Sequence, residues 1–250
     1  MIPVLFLSLP IIAVALMYGF DDMRWHDHKK PYAVPFSLGA FILYAYLALS
    51  SLLVGRHFFF SYIAMGYMIL SWALGFYLDV SQKKFYLKTL KQAILKNGVI
   101  ISYLIALGFF SYLLASGEGK SFFIVSLLFL VFPISAYFAN KVPYRLMMYF
   151  ILLAVIGCFF IVTPTFIDVL YLLTIIYIAI VLEVEDQASY GFNGSFVLGA
   201  IIAFWAVAVP EEPVQIMFLI FGLAGLIVFI FWPFMKMAIE KWLKQTNLAK

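Results

Sequence analysis

The residues best suited to chemistry form a short polar run between two apolar stretches near the start of the chain. The run holds three carboxylates within seven residues, together with two histidines and three basic residues: Asp21, Asp22, Arg24, His26, Asp27, His28, Lys29 and Lys30. Mg²⁺ prefers carboxylate oxygens, and basic side chains beside them can neutralise phosphate. The run therefore predicts a site where its three carboxylates, Asp21, Asp22 and Asp27, could hold a cation such as Mg²⁺. A solvated loop that only ends a span is the alternative.

A second acidic group lies far along the chain, after the seventh apolar stretch. It consists of Glu183, Glu185 and Asp186 and has no lysine or arginine beside it. Glu183 is placed at or inside the end of a span, where an ionisable group is costly, and this favours a functional role. We expect these three acids to form a second metal face. The glycines and asparagine at positions 191–194 predict a tight turn.

The elements that must position these groups follow from composition. Only 11% of the residues are charged and 66% are hydrophobic, whereas a soluble domain is about one quarter charged. The apolar stretches approach the roughly 20 residues that a helix needs to cross a bilayer. Stretches such as 122–138 are apolar on every face, unlike the alternating strands of a β-barrel. The prediction is an all-α, polytopic transmembrane helical bundle, a single domain over residues 1–250 of a multi-pass cell-membrane protein.

Polar residues divide the chain into about nine predicted spans. These are 2–20, 34–54, 58–78, 98–115, 121–139, 146–163, 168–184, 196–210 and 214–235. The first has no basic residue before it and no cleavage site of small residues behind it, so we expect a retained span rather than a signal peptide. Between the third and fourth spans, Lys84, Lys88 and Lys91 share one helical face, which predicts a short interfacial helix.

The basic residues predict the orientation of the bundle, because lysine and arginine near a span are retained in the cytoplasm. Of the 16 lysines and arginines, all but Arg56 and Lys120 fall on one side of the predicted spans. The N-terminus is therefore expected outside and the C-terminus in the cytoplasm, and both acidic groups emerge on the cytoplasmic side. The net charge of +4 fits contact with anionic lipid and does not indicate nucleic acid binding.

The segment from Asp22 to Gly39, DMRWHDHKKPYAVPFSLG, resembles the first aspartate-rich motif of the UbiA-type intramembrane prenyltransferases. In that family an Asn-Asp-x-x-Asp-x-x-x-Asp pattern at the cytoplasmic end of a span leads into Lys/Arg-Pro-x-x-Pro-x-Ser-Gly. Asp22 matches a motif aspartate and Asp27 lies one position from another. The trailing segment is similar at Lys30, Pro31, Pro35, Ser37 and Gly39, and the loop at Tyr86, Leu87 and Lys88 is similar to a tyrosine and lysine loop of the family.

The resemblance covers about the first hundred residues and implies an activity. Such enzymes bind an isoprenyl diphosphate through Mg²⁺ held between two aspartate motifs and transfer the prenyl group to an acceptor. It implies that Asp22 and Asp27 hold the Mg²⁺, with Asp21 in support, and that Lys30, Lys84 and Lys88 bind the diphosphate. The loop expected to carry the second motif, residues 140–145, contains no acid, so the Glu183 group is expected in its place.

Two other functions are open. A non-catalytic subunit of a larger membrane complex would explain 28 phenylalanines and 16 tyrosines alongside few polar groups inside the spans. A small-molecule transporter would need broken helices or charges at the bilayer midplane. Gly75 and Gly108 are expected only to allow close helix packing, and the single cysteine, Cys158, excludes an intramolecular disulfide.

Overall fold

A computed structural model describes residues 2–26, 33–52, 62–82, 90–141, 145–160, 166–209 and 211–248. These residues form nine helices: α1 Ile2–Asp22, α2 Leu38–Leu52, α3 Tyr62–Gln82, α4 Leu90–Glu118, α5 Phe122–Ala139, α6 Arg145–Phe160, α7 Phe166–Val184, α8 Gly191–Ala208 and α9 Glu212–Leu248. Six of them, α1, α3, α4, α5, α8 and α9, are long and apolar enough to cross a membrane. The all-α prediction is confirmed for the described residues; nine spans and the orientation stay predictions.

Helix α4 begins at Leu90 and runs for 29 residues, and the part of it that is long and apolar enough to cross a membrane is Gly98–Gly117, which begins where the predicted fourth span begins. Residues 90–97 are continuous with α4, and the rest of the predicted interfacial helix, with Lys84 and Lys88, lies outside the described residues. Helix α8 begins at Gly191, five residues before the predicted span. The segment expected as a turn, 191–194, begins with a left-handed glycine, Gly191, whose φ is 55°, and continues as the first turn of this helix.

Helix α8 is the centre of the bundle. In its apolar span, 94% of the residues are buried, whereas 22% are buried in the span of α1 and 17% in that of α9. It packs mainly on α2, α3 and α5, and it contains no charged residue. A helix that is apolar around its circumference is expected to be buried on all sides. The outer helices instead present many exposed apolar side chains, which is compatible with contact with lipid.

Glycines allow the neighbouring helices to approach α8 backbone to backbone. A Cβ atom on Gly75 of α3 would lie 2.5 Å from the Cα of Asn193, and one on Gly199 would lie 2.5 Å from the Cα of Pro133 in α5. Small residues serve this purpose at membrane helix interfaces. The expectation of close packing is confirmed for Gly75. It is wrong for Gly108, where a Cβ would meet no atom of the described part of the chain within 4 Å.

Candidate functional site at the start of the central helix

Helix α1 ends in a rigid turn that carries the first two aspartates. Arg24 has a φ of 56°, and the Trp25 N–H donates to the carbonyl of Phe20 over 2.9 Å, which is the Schellman ending of a helix. The Trp25 ring packs edge-on against Phe20, with centroids 5.1 Å apart. Asp21 and Asp22 are exposed, and Asp21 Oδ1 lies 2.7 Å from His26 Nε2. Both carboxylates are thus held at a fixed helix end and face solvent.

Helix α7 ends in the same way and carries the second acidic group. Asp186 has a φ of 53°, and the Gln187 N–H donates to the carbonyl of Leu182 over 2.9 Å. Glu183 is buried, with 7% of its surface exposed, while Glu185 and Asp186 are exposed. The group is therefore divided. Glu183 faces the protein interior, as its position near the span end predicted, and the other two acids face outward.

The two acidic loops meet at one end of the bundle. The segment that follows the first loop bonds to the segment that follows the second: the Ser189 N–H donates to the Pro35 carbonyl over 2.9 Å, and the Leu38 N–H donates to the Ser189 carbonyl over 3.2 Å. The first loop is tied to the same segment, because the Phe36 N–H donates to the carbonyl of Trp25. Acids that are about 160 residues apart in the sequence are thereby brought to one side of the molecule.

The structure does not assemble the full predicted metal site. Within the described ranges, no three side chains of histidine, cysteine, aspartate or glutamate are grouped closely enough to hold one ion. Asp27 and the three predicted diphosphate ligands, Lys30, Lys84 and Lys88, lie outside the described residues. The described carboxylates that face solvent at this end are Asp21, Asp22, Glu185 and Asp186.

A buried carboxylate that the sequence did not single out caps the first turn of α8. Asp79, near the end of α3, is 8% exposed; its Oδ1 accepts from the Phe192 N–H at 2.8 Å and its Oδ2 from the Asn193 N–H at 2.9 Å. A negative charge at a helix N-terminus satisfies N–H groups that have no partner inside the helix. Gly191 makes room, because a Cβ there would lie 2.6 Å from Asp79 Oδ2. The sequence feature that could have identified this cap is the position of Asp79, a single aspartate at the end of a long apolar run.

Buried polar atoms surround this cap. Among the described residues, three of these atoms, Ser189 Oγ, Tyr190 Oη and Asn193 Oδ1, have no hydrogen-bond partner, although each residue is at most 4% exposed. The Asn193 amide nitrogen donates to the Phe36 carbonyl at 3.0 Å. Burial raises the pKa of Tyr190 well above 10, and the nearby Glu183 carboxylate raises it further. Buried polar atoms cost free energy in an apolar interior, so the first turn of α8 is the polar part of a helix that is otherwise apolar.

Two cations complete this end of the molecule. Lys141, just after α5, has its Nζ 4.2 Å from the centroid of Phe138. Arg145, the first residue of α6, has its Cζ 4.4 Å from the centroid of Trp232. Neither makes an ion pair with a described carboxylate, so both charges remain available to an anion.

Comparison with known proteins gives no relative for this arrangement. No family model, no curated protein and no solved structure matches the chain. The site has exposed carboxylates from α1 and α7 at its edge, a buried polar centre at the start of α8, and two cations on the α5–α6 side.

Proposed function

We propose that this multi-pass membrane protein binds an isoprenyl diphosphate with Mg²⁺ at the end of the bundle where α8 begins, as a UbiA-like prenyltransferase or a degenerate relative of one. The observation that supports the proposal is the meeting of the two acidic loops through residues 35–38 and Ser189. If the two loops lay apart, the carboxylates of α1 and α7 could not bind the same ligand.

The donor groups are suitable for the metal. Mg²⁺ keeps several of its waters and is bound through one or two carboxylates plus substrate phosphates, so it does not need a closed protein cage. Asp22 and Asp21 on one loop and Glu185 and Asp186 on the other are exposed and leave room for such waters. When bound, the ion would neutralise diphosphate charge; the protein would contribute fixed carboxylates on two rigid helix ends.

The bundle also suits a rigid binding site better than a moving pathway. Backbone contacts at Gly75 and Gly199 hold α8 against α3 and α5 without side chains between them. Alternating access requires groups of helices to rock against each other. Close backbone contacts at the centre of the bundle oppose such movement, and the transporter alternative is therefore less well supported.

The variants Asp22→Asn and Glu185→Gln test the proposal. Each removes one exposed carboxylate charge from one of the two loops, and each is expected to abolish Mg²⁺-dependent binding of geranylgeranyl diphosphate in calorimetry while leaving the melting temperature unchanged. Glu212→Gln is the matched control, because Glu212 is exposed at the start of α9, on the side where α8 ends. Binding that persists in both loop variants would refute the proposal.

A subunit of a larger membrane complex is the second candidate, and α9 favours it. This helix has 37 residues, about 55 Å at the usual rise, against about 30 Å of hydrocarbon. Its C-terminal turns therefore extend beyond a bilayer that its apolar part crosses. A stoichiometric partner that co-purifies in mild detergent and is lost when residues 238–250 are deleted would support this candidate.

A further inference from the structure

The segment that leads into α2, residues 33–38, bonds to both acidic loops, and we call it the connecting segment. On one side, the Phe36 N–H donates to the Trp25 carbonyl of the first loop over 3.2 Å. On the other side, the Ser189 N–H, which follows the second acidic group, donates to the Pro35 carbonyl over 2.9 Å. A shift of the connecting segment would therefore move one acidic loop relative to the other.

Aromatic rings hold the side chain of the connecting segment in the interior. Phe36 is 2% exposed, and its ring packs edge-on against Phe20 of α1, with centroids 5.7 Å apart, and against Phe76 of α3, at 6.1 Å. Apolar contacts of this kind stabilise burial but are not directional. They keep the segment between α1 and α3 without fixing the direction of its backbone.

Asn193 supplies a directional contact between the connecting segment and the central helix. Its side-chain Nδ2 donates to the Phe36 carbonyl at 3.0 Å, and the N–H of the same Phe36 donates to Trp25. Asn193 is fully buried. A buried hydrogen bond cannot be replaced by one to water, so its loss leaves the carbonyl without a donor. The amide of Asn193 thus fixes the connecting segment against the start of α8.

Asn193 is itself held in place by α2 and α3. Its backbone N–H donates to Asp79 Oδ2 at 2.9 Å. A Cβ on Gly39 of α2 would clash with Asn193 Oδ1, and a Cβ on Gly75 of α3 would lie 2.5 Å from the Asn193 Cα. With the backbones of two helices this close, the amide has little room to change its rotamer. It is a rigid support for the connecting segment.

We propose that Asn193 is a positioning residue that, through the Phe36 carbonyl, sets the spacing between the carboxylates of the two acidic loops. Its importance for binding rests on the proposed function, because the spacing matters only if both loops bind one Mg²⁺–diphosphate ligand. Asn193 is buried and the loop carboxylates Asp22 and Glu185 are exposed, so we expect it to act on binding through their spacing. Replacing a residue that orients metal ligands typically costs roughly 10- to 100-fold in metal affinity.

The distance between spin labels on the two loops tests this role without any ligand. Met23→Cys and Val184→Cys place the labels at exposed positions beside the two acidic groups. The background variant Cys158→Ser removes the single native cysteine. Pulsed electron paramagnetic resonance of this protein should give one narrow distance distribution. Asn193→Ala removes the donor to Phe36 and should broaden or shift the distribution.

Asn140→Ala is the matched control. The Asn140 side chain also donates to a backbone carbonyl at the start of α8, that of Gly191, at 2.6 Å. This carbonyl belongs to the helix and not to the connecting segment. The control should therefore lose stability as Asn193→Ala does, yet keep the narrow distance distribution.

Asn193→Ser is a milder variant for the case that Asn193→Ala does not fold. A serine in a helix can donate to the carbonyl four residues earlier, as Ser195 does with the Gly191 carbonyl at 2.9 Å. Its hydroxyl lies one bond closer to the backbone than the asparagine nitrogen does, so it is too short for the contact with Phe36. The serine variant should therefore fold and still change the distance between the labels.

Calorimetry with geranylgeranyl diphosphate and Mg²⁺ connects the spacing to binding. Affinity should fall roughly 10- to 100-fold in the Asn193 variants and stay at the wild-type value in Asn140→Ala. A wild-type distance distribution in the Asn193 variants, or an equal change in Asn140→Ala, would overturn the proposal, as would altered spacing with unaltered binding. Absence of binding in the wild-type protein would instead refute the proposed function, and the distances would still decide whether Asn193 positions the loops.

Discussion

Helix α8 is held at its first residues by a carboxylate and at its last residues by an ammonium group. Asp79 accepts from two N–H groups of the first turn, and Lys120 donates to the Val207 carbonyl in the last turn. Each charge is opposite in sign to the end of the helix dipole beside it. Helix α8 is buried and has no charged residue of its own. The partial charges at its two ends are thus neutralised by side chains of other segments.

The two ends differ in what surrounds these caps. At the first end lie both acidic loops, the buried atoms of Ser189 and Tyr190, and Lys141. At the other end, the described side-chain hydrogen bonds to the last turn of α8 come from Lys120 and Gln215, which both donate to the Val207 carbonyl; Gln215 also donates to Val209, just after the helix, at 2.6 Å. The comparison indicates that a cap at each end stabilises the fold, and that the exposed carboxylates of the two acidic loops lie at the end that Asp79 caps.

The largest effect is expected from removing the cap at the polar end. Asp79→Ala leaves two buried N–H groups without an acceptor and should lower the free energy of unfolding by about 3 kcal/mol. Thermal or denaturant unfolding in detergent measures this loss. Asp22→Ala, which alters an exposed carboxylate, should change the free energy of unfolding by less than about 0.5 kcal/mol. Equal stability of the two variants would mean that Asp79 is no cap.

A somewhat smaller effect should follow from separating α3 and α8. Gly75→Ala introduces a methyl group 2.5 Å from the Cα of Asn193, and the resulting shift of backbone should cost about 2 kcal/mol. Gly108→Ala is the matched control, because it meets no atom within 4 Å and should be neutral or stabilise the helix by up to about 1 kcal/mol. Parallel melting curves test the pair. A larger loss at Gly108 would contradict the described packing.

The cap at the other end should be less important. Lys120→Met removes a charge from the last turn of α8, but Gln215 still donates to the Val207 carbonyl at 3.3 Å, so we expect a loss of about 1 to 2 kcal/mol. Unfolding under the conditions used for Asp79→Ala gives the comparison directly. If Lys120→Met lowered the free energy of unfolding more than Asp79→Ala, the cap at the start of α8 would not be the more stabilising of the two.

The smallest effect is a gain in stability. Arg24 has left-handed backbone at the end of α1, where a side chain costs about 1 to 2 kcal/mol and glycine is preferred. Arg24→Gly should therefore raise the free energy of unfolding by up to about 1 kcal/mol. The control Asp22→Gly places glycine in the last helical residue instead and should lower it. A loss in both variants would show that the Arg24 side chain stabilises the loop.

The sequence predicts the helices of this protein well and the polar end only in part. Apolar length and the acidic span ends were readable, and the buried position of Glu183 followed from its place in the seventh span. The start of α8 was not readable, because Gly191, Asn193 and Gly194 form turns in most contexts. Gly191 keeps the left-handed backbone of a turn, with a φ of 55°, and Asn193 and Gly194 lie in the first turn of α8, where Asp79, more than 110 residues earlier, supplies the cap. Contacts between distant segments of this kind leave no local pattern.

The most direct test of the proposed function is calorimetric binding of geranylgeranyl diphosphate to the purified wild-type protein, once with Mg²⁺ and once with EDTA. The account predicts saturable binding that requires Mg²⁺, because the exposed carboxylates of the two loops repel the diphosphate unless a cation lies between them. Absence of binding in both conditions, or binding of equal strength with EDTA, would contradict it and leave the acidic loops as ordinary span ends.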